Sequence, residues 1–306
     1  MSLELPTPSD VFHVTLDDGA KIRMRRHGNP KGIRVLISHG NGFAVDAYFP
    51  YWRHFLDRFD LVVFDFRNHG QNVPVEPSNH TYPQLTRDLE RAIQEVRSRL
   101  GQKQTIGIFH SMSARTAMKH AIEVAWRWDA LLLFDPPDVP PMGHPQYASM
   151  EVFENRLTDF ARKRRRTFAS IEELTQEYLQ SRATRNWVPG EHELMARSVL
   201  RKNPASEGYV LVCAPENEAS IYQQAMTLNL WPMAKEFGGA VKLIGADPTA
   251  KGAPASAAAN QALGMEGDYD YSYVEGTGHL LQIERPEECV RITMEFLAKH
   301  GLAGQA

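Results

Sequence analysis

Ser111 stands where a β-rich run, Ile106-Gly107-Ile108-Phe109-His110, stops and small helix-forming residues begin. That pattern lifts a hydroxyl onto a sharp strand-to-helix turn, close to the free N–H groups of the new helix. A serine hydroxyl is a weak nucleophile at neutral pH. It needs a base to take its proton and a carboxylate to set the tautomer of that base and stabilise the imidazolium. Two other side chains occupy equivalent positions, each just past a predicted strand: Asp247, after residues 241–246, and His279, after residues 269–274. In a parallel sheet such ends lie along one edge, so residues distant in sequence converge there. Asp135, after the predicted strand 130–134, is the rival acid; this reading favours Asp247. Taken singly, each residue has an ordinary role: Ser111 as an N-cap, Asp247 before Pro248 as a turn former, and His279 as one of 12 histidines.

The surrounding elements must do the positioning. Residues 11–16 and 21–25 flank Asp17-Asp18-Gly19, a hairpin signal. A buried-type strand at 33–38 ends at His39-Gly40-Asn41-Gly42-Phe43, and another at 61–66 ends at Arg67-Asn68-His69-Gly70. Thr81-Tyr82-Pro83-Gln84 reads as a capping box, and the helix after it carries Leu85, Leu89, Ile93, Val96 and Leu100 on one face. Strand, helix, strand in this rhythm predicts a mostly parallel α/β sheet covered on both faces. The rhythm breaks across residues 136–231, which are charged and helical in pattern at 150–166, 170–182 and 190–200. The expected organisation is a core of residues 1–135 and 232–306 with a helical cap inserted at 136–231. A final helix opens at Arg285-Pro286-Glu287-Glu288, where proline and two acids suit the positive end of a helix.

Composition excludes several classes. The 306 residues are 42% hydrophobic and carry 34 basic against 37 acidic side chains, a formal net charge of −3. So even a balance creates no global field for nucleic acid or an anionic membrane, and a small, largely uncharged substrate is expected. The N-terminus lacks a basic segment followed by an apolar run, so the expectation is a cytoplasmic protein without a signal peptide. Cys213 and Cys289 are expected as buried free thiols. No H-E-x-x-H, no cysteine pair at zinc spacing and no early G-x-G-x-x-G occurs, so neither metal nor organic cofactor is expected. The run Arg162-Lys163-Arg164-Arg165-Arg166 reads as a solvated helix face.

Taken in order, these motifs resemble the α/β-hydrolase superfamily over nearly the whole chain. His39-Gly40-Asn41-Gly42 is similar to its oxyanion loop, and Asp65-Phe66-Arg67-Asn68-His69-Gly70 to its D-x-R-G-H-G turn. Ser111 stands at its nucleophile elbow, Asp247 at its acid position, and the segment from Gly278 to Glu288 at its catalytic-histidine segment. The resemblance implies an α/β-hydrolase fold with a helical cap. It also implies an oxyanion hole built from the backbone N–H groups of Asn41 and Met112, with Gly42 as substitute for Asn41. One departure stands out. The usual elbow is G-x-S-x-G, and here Phe109 and Ser113 occupy the glycine positions. Ser113 is small; Phe109 demands that the strand splay or the ring turn aside.

The function expected from these residues is a serine hydrolase cleaving a small carboxylic ester through an acyl-enzyme. Ser111 is the nucleophile, His279 the base and Asp247 the orienting acid. His39 and His110 are expected to brace the loop and turn on which they sit, as are Asp65 and His69. The alternatives are carbon–carbon bond hydrolysis of a vinylogous diketo acid, which needs cationic cap residues for a carboxylate, and a ligand-binding protein that has lost turnover. A small-molecule ester is the expected partner, with no nucleic acid or membrane; the sequence leaves a homodimer open.

Overall fold

The computed structural model describes residues 3–75 and 79–304. Its main sheet contains β1 (Asp10–Thr15), β2 (Lys21–Gly28), β3 (Arg34–Ile37), β4 (Asp60–Phe64), β5 (Thr105–His110) and β6 (Ala130–Phe134). A second, small sheet contains β7 (Thr167–Phe168), β8 (Leu200–Lys202) and β9 (Tyr209–Leu211), and the main sheet is completed by β10 (Ala240–Ala246) and β11 (Asp270–Val274). The eight strands of the main sheet run in the order β1-β2-β4-β3-β5-β6-β10-β11. β2 pairs antiparallel with both β1 and β4, and every later pairing is parallel.

The central strands are buried end to end because helices cover both faces. Alternation divides them between two cores. Val35, Ile37, Ile106 and Ile108 pack on one face with Trp52, Phe55 and the final helix Pro286–Lys299. Leu36, Phe109, Leu131 and Leu133 pack on the other with the helices Tyr82–Leu100 and Met112–Glu123. Half of the expected capping box forms: Thr81 accepts the Gln84 N–H at 3.3 Å at the start of the first of these helices, while the Gln84 side chain turns to Asp88 at 2.9 Å in place of the Thr81 backbone.

Between β6 and β10 the chain is helical over Tyr147–Lys163, Ile171–Gln180, Glu191–Val199 and Pro215–Ala225. The sequence pattern did not anticipate the last of these, nor the three-stranded antiparallel sheet β7-β9-β8. Those strands have only two or three residues each, too few for a period-of-two signal. The arginine run also divides. Arg164 leaves the helix and pairs with Glu218 in a half-buried position, whereas Arg165 stays exposed against Glu173 and Glu177. Both cysteines are buried and free. Among the described residues, no helix is long and apolar enough to cross a membrane.

Candidate active site

The parallel order β3-β5-β6-β10-β11 brings five strand ends to one edge. Ser111 follows β5 with φ +53° and ψ −115°, a conformation costly for a residue with a Cβ. It is held there because its N–H donates to Phe134 O at 2.9 Å and its carbonyl accepts the Arg115 N–H at 2.9 Å. Phe109 is accommodated by Gly107, two residues earlier on the same face. The ring turns back along β5 and meets Trp128 edge-on at 5.4 Å, and a Cβ on Gly107 would lie 2.8 Å from it. The vacated space has moved two residues upstream, and the serine turn survives.

His279 arrives on the loop after β11. Its Nε2 lies 2.9 Å from Ser111 Oγ, and its Nδ1 lies 2.6 Å from Asp135 Oδ2. The carboxylate on the imidazole is therefore Asp135 and not Asp247, a reversal of the order expected from sequence. The reason is register. β6 and β10 are neighbours with Phe134 opposite Ile244, so β6 ends first and Asp135 turns off beside Gly245, where the His279 loop closes over it, while β10 runs on to Ala246 and carries Asp247 farther along. Asp135 is fully buried and has φ +41°. It also accepts from Ala246 N at 2.9 Å, Ser256 Oγ at 2.8 Å and Asn260 Nδ2 at 2.8 Å. Burial by itself would raise its pKa, but His279 and these donors outweigh burial and hold the carboxyl below its ordinary value.

Asp247 has different partners. Gly276 N donates to it at 2.8 Å, as do Thr249 N at 2.8 Å and Thr249 Oγ1 at 2.7 Å, and the Gly276 bond leads in lowering its pKa. It ties down the turn that carries His279 without touching the ring.

The loop after β3 approaches the serine closely: a Cβ on Gly40 would lie 3.2 Å from Ser111 Cβ. The N–H of Gly42 points to His69 Nε2 at 3.1 Å and is engaged. Among the described residues the backbone N–H groups of Asn41 and Met112 have no acceptor, Met112 being the first residue of its helix. The Asn41 side chain is anchored on Glu218 O at 2.8 Å.

Sequence reasoning missed a relay. Gly40 N–H donates to Tyr48 Oη at 3.1 Å, which lies 2.7 Å from His110 Nδ1, and His110 Nε2 lies 2.8 Å from His279 O. The carbonyl can only accept, so His110 carries its proton on Nε2 and Tyr48 donates to Nδ1. One neutral imidazole thus links the β3 loop, the serine turn and the His279 loop. Burial pushes His110 down to about 3 and His39 down to about 4, so both stay neutral near pH 7. His39 Nδ1–H donates to Gly40 O at 2.7 Å and its Nε2 accepts Phe66 N–H at 3.1 Å, which is bracing rather than proton transfer. Asp65 braces likewise, accepting Val45 N–H at 2.8 Å.

His69, His80 and Cys213 bring three buried ligand atoms within 4.8 Å of one another. Their hydrogen bonds fit bracing better than metal ligation. His69 donates from Nδ1 to Arg67 O at 2.9 Å and accepts Gly42 N–H at Nε2. Asn68 accepts Val75 N–H at Oδ1, so its amide NH2 faces His80 Nδ1 at 3.3 Å and leaves the His80 proton on Nε2. Neither ring offers the cluster a free lone pair.

Known proteins share this architecture. A structure of E-2-(acetamidomethylene)succinate hydrolase superimposes with TM-score 0.74 at 18% identity, over 94% of this chain and 99% of that one. A thioesterase domain from the curacin biosynthetic pathway gives 0.69 at 16% identity, over 94% and 99%. A thermophilic esterase from Thermogutta terrifontis gives 0.66 at 18% identity, over 95% and 99%. Identities this low speak for the fold. No curated protein sequence matches the chain. The sequence model of the alpha/beta hydrolase family matches residues 35–292, which includes every strand of the main sheet from β4 to β11 as well as Ser111, Asp135 and His279; the chain belongs to that family and is a hydrolase by membership.

Proposed function

We propose that the protein is a serine hydrolase of carboxylic esters acting through an acyl-enzyme. One observation carries the reading: Ser111 Oγ, His279 and Asp135 form a continuous hydrogen-bonded chain of 2.9 and 2.6 Å on a strained turn. Ser111 Oγ attacks the ester carbonyl as His279 Nε2 takes its proton. Asp135 keeps the other proton on Nδ1 and stabilises the imidazolium that forms. The N–H groups of Asn41 and Met112 receive the oxyanion, where losing one such donor costs on the order of 10²–10³ in turnover. His279 then gives its proton to the departing alkoxide. In the second half, water loses a proton to His279 as its oxygen bonds to the acyl carbon, and the bond from that carbon to Ser111 Oγ then breaks as His279 returns the proton to Oγ, which frees the acid.

The helices between β6 and β10 act as the cap. A dicarboxylate or diketo acid substrate would need an unpaired cation near Ser111. Arg115, one helical turn away, is bound to Glu154 at 2.6 Å, and Arg164 is held by Glu218. That pairing supports an ester over the carbon–carbon bond reaction. Labelling with a fluorophosphonate followed by peptide mapping tests the nucleophile, and turnover of a p-nitrophenyl ester against a vinylogous diketo acid tests the bond cleaved. Absence of label on Ser111 in folded protein would refute acyl transfer and favour a binding role.

A further inference from the structure

Beside the candidate nucleophile lies a buried charge cluster that the chemistry above leaves unused. Arg115 is one turn along the helix from Ser111, Asp138 is three residues beyond Asp135, and Glu154 lies on the helix Tyr147–Lys163. All three are 1% exposed. Arg115 binds Glu154 at 2.6 Å and is within hydrogen-bond range of Tyr82 Oη at 3.3 Å. Its Nε is 3.6 Å from Asp138 Oδ1, too far for a hydrogen bond.

The arithmetic of the cluster is unbalanced. Two carboxylates face one guanidinium. Both oxygens of Asp138, Oε2 of Glu154 and the Nε–H of Arg115 are buried without a partner among the described residues, and that one N–H can serve at most one of the three oxygens. Unpaired buried acceptors of this kind are costly and call for a donor from outside the chain. Burial pushes the Asp138 carboxyl up to about 7, and the His279 charge acts on Glu154, so the cluster is within electrostatic reach of the reacting groups.

We propose that Arg115, Asp138 and Glu154 form a recognition site for a protonated amine carried by the substrate, so that the preferred esters bear an ammonium group. This rests on the ester-hydrolase reading. A primary ammonium supplies three donors, enough for the oxygens that the single spare Arg115 N–H leaves unserved, and its positive charge favours the ionised form of Asp138, which gives the cluster one excess negative charge. Arg115 holds Glu154 in place and keeps the pair of acids from repelling one another apart. The near balance of charge over the whole chain says nothing against this, because the excess is local and dry.

The experiment compares kcat/KM for p-nitrophenyl esters of ω-amino acids of graded length with the alkanoates of equal length, and for acetates of ω-amino alcohols with alkyl acetates. The enzyme concentration is set by fluorophosphonate titration. At the fitting length the amino substrate is expected to lead by roughly tenfold or more, as a charge-assisted hydrogen bond would give. Alkylammonium ions should inhibit competitively and the matching alcohols should not. In Asp138→Asn and in Glu154→Gln the ratio should collapse toward one. A preference for the neutral ester at every length and in both series overturns the proposal, as does a preference for carboxylate-bearing esters, which would make Arg115 the reader. Either result with Ser111 labelled leaves acyl transfer standing. No label and no ester turnover strikes the underlying reading instead.

Discussion

Replacing Asp135 by asparagine separates the two candidate acids most sharply. The carboxylate receives four donors: Ala246 N, Ser256 Oγ, Asn260 Nδ2 and His279 Nδ1. An asparagine amide has one oxygen and must turn its NH2 toward the others. With its oxygen kept on Ala246 and Asn260, the NH2 faces Ser256, which can turn its hydroxyl to accept, and His279, which cannot remain protonated at Nδ1. His279 then carries its proton on Nε2, facing Ser111 Oγ, and is unable to take another. The loss expected for that wrong tautomer is about 10⁴ in kcat, or about 5.4 kcal/mol of transition-state stabilisation. Stability should fall by about 1–3 kcal/mol for the donor left without an acceptor. Asp247→Asn, whose partners are Gly276 and Thr249, should stay within about tenfold of wild type because it only loosens a turn. Steady-state hydrolysis of a p-nitrophenyl ester and the rate of fluorophosphonate labelling measure both variants. If Asp247→Asn took the larger loss, or Asp135→Asn kept turnover within tenfold, the assignment of the acid would be wrong.

Three further outcomes are expected. Ser111→Ala and Ser111→Gly should both abolish turnover, but the glycine variant should be the more stable by about 1 kcal/mol in denaturant melts, because φ +53° strains any residue with a Cβ. Tyr48→Phe leaves Gly40 N–H and His110 Nδ1 without their shared partner; stability should drop by about 1–3 kcal/mol and kcat/KM by roughly tenfold to a hundredfold, whereas an unchanged rate would show that the relay does not position the site. Asp138 has its native pKa raised to about 7 from an ordinary 3.8, so its stabilising protonated form is fully present below pH 4 and lost as pH rises through 7. The stability of Asp138→Asn relative to wild type should therefore climb between pH 4 and pH 8, by a span on the order of 4 kcal/mol, and a flat difference across that range would refute a buried, reluctant carboxylate.

The chain's own patterning determined the class of fold and the meeting of residues 111 and 279. Short continuous apolar runs between turn signals, such as 130–134, alternating with amphipathic helices fit parallel strands buried on both faces, and residues just past the ends of parallel strands share an edge. Which carboxylate reaches the imidazole was decided by tertiary structure. Asp135 and Asp247 both follow strands, and nothing local distinguishes them; the adjacency of β6 to β10 and the path of the β11 loop do. Gly107 was visible in the sequence, but its use as the recess for Phe109 depends on where the ring of Trp128 stands. The small sheet β7-β9-β8 joins segments too short to announce themselves, and the cluster of Arg115, Asp138 and Glu154 draws on three separated parts of the chain. Periodicity reports which face of an element is buried. It carries no record of which buried polar groups from distant elements will find one another, because that depends on strand order, register and loop path, and these exist only once the sheet has closed.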